Sequence, residues 1–189
     1  MHATGLAAAT TAELGVTETG WRQGSRDQVL IERTTGAFQH PDNVPLPGPT
    51  HCELTVVDLS WDLAQVCNSD SWLAAVVESA PLVIVTVATV PGLRTLDNAL
   101  QLTARPDDTW CVVTGPPHKK WPKPLQLATT AAIDAAIRAG RLIAIPEISS
   151  LALSGMTPDP LPPHLVTASR TIFDQTVEHQ KGNNHHASI

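Results

Sequence analysis

A chain of 189 residues with a formal net charge of −6 and 42% hydrophobic residues is long and apolar enough to bury a sizeable core in one ordinary globular domain, and it is not wholesale disordered. The acidic balance excludes a global basic field, so bulk attraction to nucleic acid or to an anionic membrane is not expected and any phosphate contact must come from a local patch. Cys52, Cys67 and Cys111 are too few and too scattered for a disulfide framework or a thiolate metal site. No charged segment followed by a long apolar run opens the chain, and no apolar run approaches the ~20 residues that cross a bilayer, so the sequence predicts a cytoplasmic protein without a membrane span.

In chain order, Thr10 and Thr11 precede a stretch with helical character. Short β-branched apolar runs follow at 28–32, 54–58, 82–87, 110–114 and 141–145. They are nearly continuous rather than alternating, which suits strands covered on both faces in a parallel sheet. Residues 37–51 include Pro41, Pro45, Pro47 and Pro49 and read as a long loop. Ser69 or Asp70 can cap a helix through Trp72, Leu73, Val76 and Val77. Leu93, Leu96 and Leu100 share one helical face. Pro124 opens a helix whose small apolar residues run through Ala128, Ala132 and Ala136 to a stop at Gly140. A last helix follows Pro163, and 181–189, with His185 and His186, predicts a flexible C-terminal tail. The expectation is a single α/β domain over 1–180, built on an open, mostly parallel sheet of about five strands flanked by helices. Ligands bind such sheets beyond the carboxyl ends of the strands, here the loops after Glu32, Asp58, Val87, Thr114 and Ile145.

Two of these loops carry candidate chemistry. Asp58 ends an apolar run, where a carboxylate either holds Mg2+ through water or caps the following turn. The segment 115–123 gathers His118, Lys119, Lys120, Trp121 and Lys123 between prolines. Its cations suit a phosphate or an acidic partner, and Trp121 either stacks on a ring or folds back on the core. Thiolate, zincin, nucleophile-elbow and dinucleotide-fingerprint motifs are all missing.

The sequence of Ala-rich Thr10-Thr11 opening, the 28–32 run, the 54–58 run ending in Asp58, the 82–87 run leading through Pro91-Gly92 into a helix, and the late Ile145-Pro146-Glu147 turn resembles the ParA/MinD group of P-loop ATPases, which partition DNA or position cell machinery. The resemblance covers most of the chain. It implies a P-loop NTPase-like sheet, Thr10 and Thr11 as the phosphate-loop hydroxyls, Asp58 as the acid that holds Mg2+, and Thr114 and Pro146 near the nucleotide base. Thr114 stands where the family often has Asn. Ala9 stands at the lysine position and Ala8 at a glycine position, while Gly5 has the wrong spacing. Each lost charge-assisted hydrogen bond forfeits ~1.5–3 kcal/mol. With only residues 1–4 ahead of this stretch, the strand that carries the loop in the family has no counterpart, as in a truncated member.

The resemblance and its departures together imply a degenerate ParA/MinD-like domain acting as a regulatory or protein-binding module with weak or no ATP turnover. Its partner would be another protein or its own copy, with nucleic acid reached only indirectly. One alternative is an active ATPase of the same group, with ATP and Mg2+ held by an unusual loop through Thr10, Thr11 and Asp58. Another is a protein-interaction domain unrelated to nucleotide, centred on Lys119, Lys120 and Trp121.

Overall fold

Two kinds of strand chemistry sort the chain into two sheets. The computed structural model describes residues 12–26, 28–49, 52–154 and 160–186. The first sheet is antiparallel and three-stranded, from β1 (Ala12–Val16), β2 (Trp21–Arg26) and β3 (Val29–Thr34). Helices α1 (Leu63–Cys67) and α2 (Trp72–Ser79) follow. The second sheet is parallel, in the order β4 (Leu82–Val87), β5 (Thr109–Thr114), β6 (Leu142–Ile145). Its crossovers are α3 (Val90–Leu102) and the pair α4 (Lys123–Gln126) and α5 (Ala131–Arg138). The chain continues through α6 (Ser149–Ser154) and α7 (Pro163–His186). The mixed α/β class read from the sequence is present, with its strands divided between two small sheets.

The chain divides into two compact units. The first takes the described residues up to Ala75 together with α6, and the second takes 76–148 and the described residues from Pro160 onward.

In the first unit, the stretch expected to be helical forms β1 instead. Gly15 sits at φ 114° within a register shift against β2, a conformation open to glycine and foreign to a helix. Gly20, at φ 84°, closes the tight turn into β2, where the Thr17 N–H donates to the Trp21 carbonyl at 2.8 Å. The next run is β3, paired antiparallel with β2, where Glu32 accepts a 2.6 Å hydrogen bond from Gln23. The proline-rich loop has few N–H donors of its own, but its carbonyls still need partners. Two tryptophans supply them. The Trp21 indole donates to the Pro45 carbonyl and the Trp72 indole to the Val44 carbonyl, each at 3.2 Å.

The 54–58 run is a correction. It is not a strand, and Leu54 and Val56 are 41% and 82% exposed. β-branched composition favours a strand only where a neighbour completes the ladder, and no strand among the described residues pairs with this segment.

The second unit follows its pattern more closely. Leu93, Leu96 and Leu100 of α3 are buried, and they meet Cys111 and Val113 of β5, Trp121, Leu125, Ile133 and Ala136 in one cluster. These residues place α3, α4 and α5 on the same face of the sheet. Thr89 caps α3, its Oγ1 accepting from the Gly92 N–H at 3.1 Å. The single helix expected from Pro124 to Gly140 is two. Thr130 restarts it as the N-cap of α5, and its hydroxyl also donates to Asp97. Gly140, at φ 72°, provides the expected stop. Helix α7 starts at Pro163 as expected and extends to His186, into the segment read as a tail.

Candidate functional site

The carboxyl ends of the parallel strands finish level, with Val87 beside Thr114 and Thr114 beside Ile145. Past that point the backbone adds further rungs. The Ala88 N–H donates to the Thr114 carbonyl at 2.9 Å and the Gly115 N–H to the Ile145 carbonyl at 2.8 Å. Gly115 takes φ 140°, and a Cβ added there would lie 2.6 Å from the Cβ of Ala88. Only glycine lets the chain leave β5 at this place. Beside it, the first turn of α3 packs as tightly, since a Cβ on Gly92 would approach the Val87 carbonyl oxygen to 2.3 Å. The Thr86 hydroxyl donates to the Gly92 carbonyl at 3.0 Å, tying strand to helix.

From Gly115 the chain runs through Pro116 and Pro117 into a 3-10 turn, His118–Lys120, and then to Trp121. Trp121 is 3% exposed, and its indole reaches back to donate to the Pro116 carbonyl at 2.9 Å. The Gln126 amide donates to the Trp121 carbonyl at 2.6 Å. Both ends of the loop are therefore held by one buried ring, and the two prolines narrow its remaining freedom. Lys119, Lys120 and Lys123 are exposed and His118 is half-buried. None of these cations takes part in the salt bridges among the described residues. An open depression of about 410 Å³ lies alongside, lined by Gly115, Pro116, Pro117, Ala144, Pro146 and Glu147.

The arrangement suits an anionic group held from one side. Three ammonium groups on a braced loop attract phosphate or carboxylate, whereas Glu147, exposed on the depression wall, repels it there. Cys111, under the loop on β5, offers no nucleophile. Burial pushes its thiol from the ordinary 9.0 up to about 11, and the nearby Arg141 charge offsets only part of that.

Of the residues singled out in the sequence, the fold brings together Thr114, Pro146, His118, Lys119, Lys120 and Lys123 around one sheet edge. Of the two parts the sequence left open for Trp121, the ring takes the inward one and is buried in the core, so it offers no stacking surface. Glu32 and Asp58 do not end strands of the parallel sheet. Asp58 is exposed on the irregular segment of the first unit. Thr10 and Thr11 lie outside the described residues.

A Mg2+–nucleotide site needs phosphate donors with a carboxylate beside them. Among the described residues no group of three or more His, Cys, Asp or Glu is placed to hold a metal, and Asp58 by itself does not fit that requirement. The steric roles of Gly115 and Gly92 escaped the reading of the sequence. The available signals were a glycine directly after the β5 run and a Pro91-Gly92 pair at the start of α3, neither of which spacing alone distinguishes from an ordinary turn.

Among the described residues, no helix is long and apolar enough to cross a membrane. In comparisons with known proteins, no family model, no curated protein and no solved structure matches this chain.

Proposed function

We propose that the protein is a regulatory, protein-binding module whose sequence resembles the ParA/MinD ATPases, which turns over ATP weakly or not at all and captures an acidic partner on the 115–123 loop. The observation that carries this reading is the Trp121 anchor. By burying its ring and bonding to Pro116, it turns Lys119, Lys120 and Lys123 outward at the carboxyl edge of the parallel sheet. A loop ordered before its partner arrives loses little entropy on binding. The alanines at positions 8 and 9 support weak nucleotide handling, since they supply neither the flexible backbone nor the charge that phosphates require.

Isothermal titration with ATP and Mg2+, run beside a phosphate-release assay, tests the proposal. Binding in the millimolar range or weaker, without phosphate release, is the expected result. Micromolar affinity with steady hydrolysis would make the chain an active ATPase and overturn it.

A further inference from the structure

We propose that the acidic partner of the 115–123 loop is a second copy of this chain, which lays its exposed 53–62 segment across that loop and the neighbouring depression. The assignment rests on the acidic-partner function proposed for the loop and names the partner. Charge is divided unevenly along the chain. Residues 1–75 carry nine acidic and three basic residues, whereas 76–148 carry seven basic against six acidic, and three of those seven are Lys119, Lys120 and Lys123. Opposite potentials carried by one molecule favour contact between its copies.

The segment is already in a shape that a binding surface can take up. Over 56–62 exposure alternates, with Val56, Asp58, Ser60 and Asp62 exposed and Val57, Leu59 and Trp61 half-buried. That is the two-residue period of extended backbone. Among the described residues, no backbone-to-backbone hydrogen bond involves 54–59. At the far end Asp62 caps α1, its carboxylate accepting from the Ala64 N–H at 2.9 Å. An extended, anchored segment with unpaired backbone groups loses little entropy when it docks.

Charge and surface complement each other, which is why a second copy is the occupant. Glu13, Asp107 and Asp108 each pair with an arginine. Among the described residues Glu53 and Asp58 form no salt bridge, and neither do the three lysines of the loop. Leu54 and Val56, 41% and 82% exposed, supply apolar side chains for a depression walled by Pro116, Pro117, Ala144 and Pro146. Glu147 on the same wall repels the segment's acids, which assigns the apolar residues to the depression and the carboxylates to the lysines. Attraction between opposite charges, more than buried area, holds this contact, so it is weak and salt-sensitive.

Sedimentation velocity on the full chain, from about 1 to about 300 µM in low salt, is the test. The wild type is expected to associate as concentration rises, and ~0.5 M salt to weaken the association at least ~10-fold. Lys119→Glu with Lys120→Glu, and separately Glu53→Lys with Asp58→Lys, set like charges against each other and are each expected to weaken it at least ~10-fold. An equimolar mixture of the two variants brings opposite charges together again and is expected to associate as the wild type does. Circular dichroism checks folding; Lys119→Gln with Lys120→Gln, or Glu53→Gln with Asp58→Asn, replaces a reversed pair that does not fold, with loss of association as the readout. A wild type that stays monomeric, association indifferent to a folded variant of either surface, or a mixture of the folded reversed pairs that fails to restore it would each overturn the proposal. Labelled polyglutamate separates that failure from failure of the loop's function. If it binds a monomeric wild type but not the Lys119→Glu, Lys120→Glu variant, the second copy falls and the acidic-partner function stands; if it does not bind, both fall.

Discussion

Replacing Trp121 separates its two jobs, filling the core and bracing the loop. The ring is 3% exposed and sits in the cluster with Leu93, Leu96, Leu125 and Ile133. Truncating such a residue to alanine costs about 3–5 kcal/mol, and the lost indole bond to Pro116 adds about 1 kcal/mol. The site is close to the surface, and partial collapse or entry of water offsets some of this. We therefore expect Trp121→Ala to cost about 4 kcal/mol, a large part of the ~5–15 kcal/mol that holds a typical domain folded. Trp121→Phe keeps a buried ring but loses the hydrogen bond and part of the indole's volume, so about 1–2 kcal/mol is expected. Urea unfolding followed by far-ultraviolet circular dichroism reads both variants. With a slope of ~2 kcal/mol per molar, the midpoints should fall by about 2 M and by less than about 1 M. A loss under about 1 kcal/mol for Trp121→Ala, the size of an ordinary surface replacement, would refute the anchor and with it the pre-ordered loop.

Gly115→Ala meets both an unfavourable φ and the Ala88 side chain, so a loss of about 1–3 kcal/mol is expected, read as a drop in melting temperature of ~2–4 °C per kcal/mol. The Cys111 thiol should resist a thiol reagent at neutral pH until the chain unfolds, while exposed Cys52 reacts at once. Because the folded state holds the Cys111 pKa near 11 and the unfolded state near 9.0, its contribution to stability is complete below pH 9 and is lost as pH rises toward 11, which unfolding measured between those values checks against Cys111→Ala. Lys119→Glu combined with Lys120→Glu should lower the salt needed to elute the protein from a polyanionic heparin resin and change stability by no more than about 0.5 kcal/mol. Asp58→Ala, at an exposed position, should also be neutral to stability, within about 0.5 kcal/mol by thermal melting. Loss of ATP hydrolysis in that variant, if the wild type shows any, would restore a metal role to the aspartate.

Local pattern was a reliable guide where burial and backbone chemistry agreed. The runs that became β4, β5 and β6 are dense in β-branched residues, and the leucines of α3 recur at helical spacing, so their preferred local states are also those that bury them. Gly140 marks the end of α5 through chemistry that acts within a few residues. The edge carrying Thr114, Pro146 and the 118–123 cations was also legible, since alternating strands and helices already dictate which loops share an end of the sheet.

Contacts between distant residues decided the rest. Whether 54–58 becomes a strand depends on a neighbour to complete its hydrogen bonds, which its own composition does not specify. The stretch 12–16 became β1 because β2 lay close enough to pair with it. Trp121 had two options in the sequence, outward to a ligand or inward to the core. The Pro116 carbonyl and the space between α3 and α5 settled it, because a buried indole needs both a cavity of its size and an acceptor for its N–H. Sequence thus determined which segments are strands or helices when local preference and burial coincide. Tertiary structure decided which strands find partners and which side chains remain at the surface, because both depend on residues far apart in the chain.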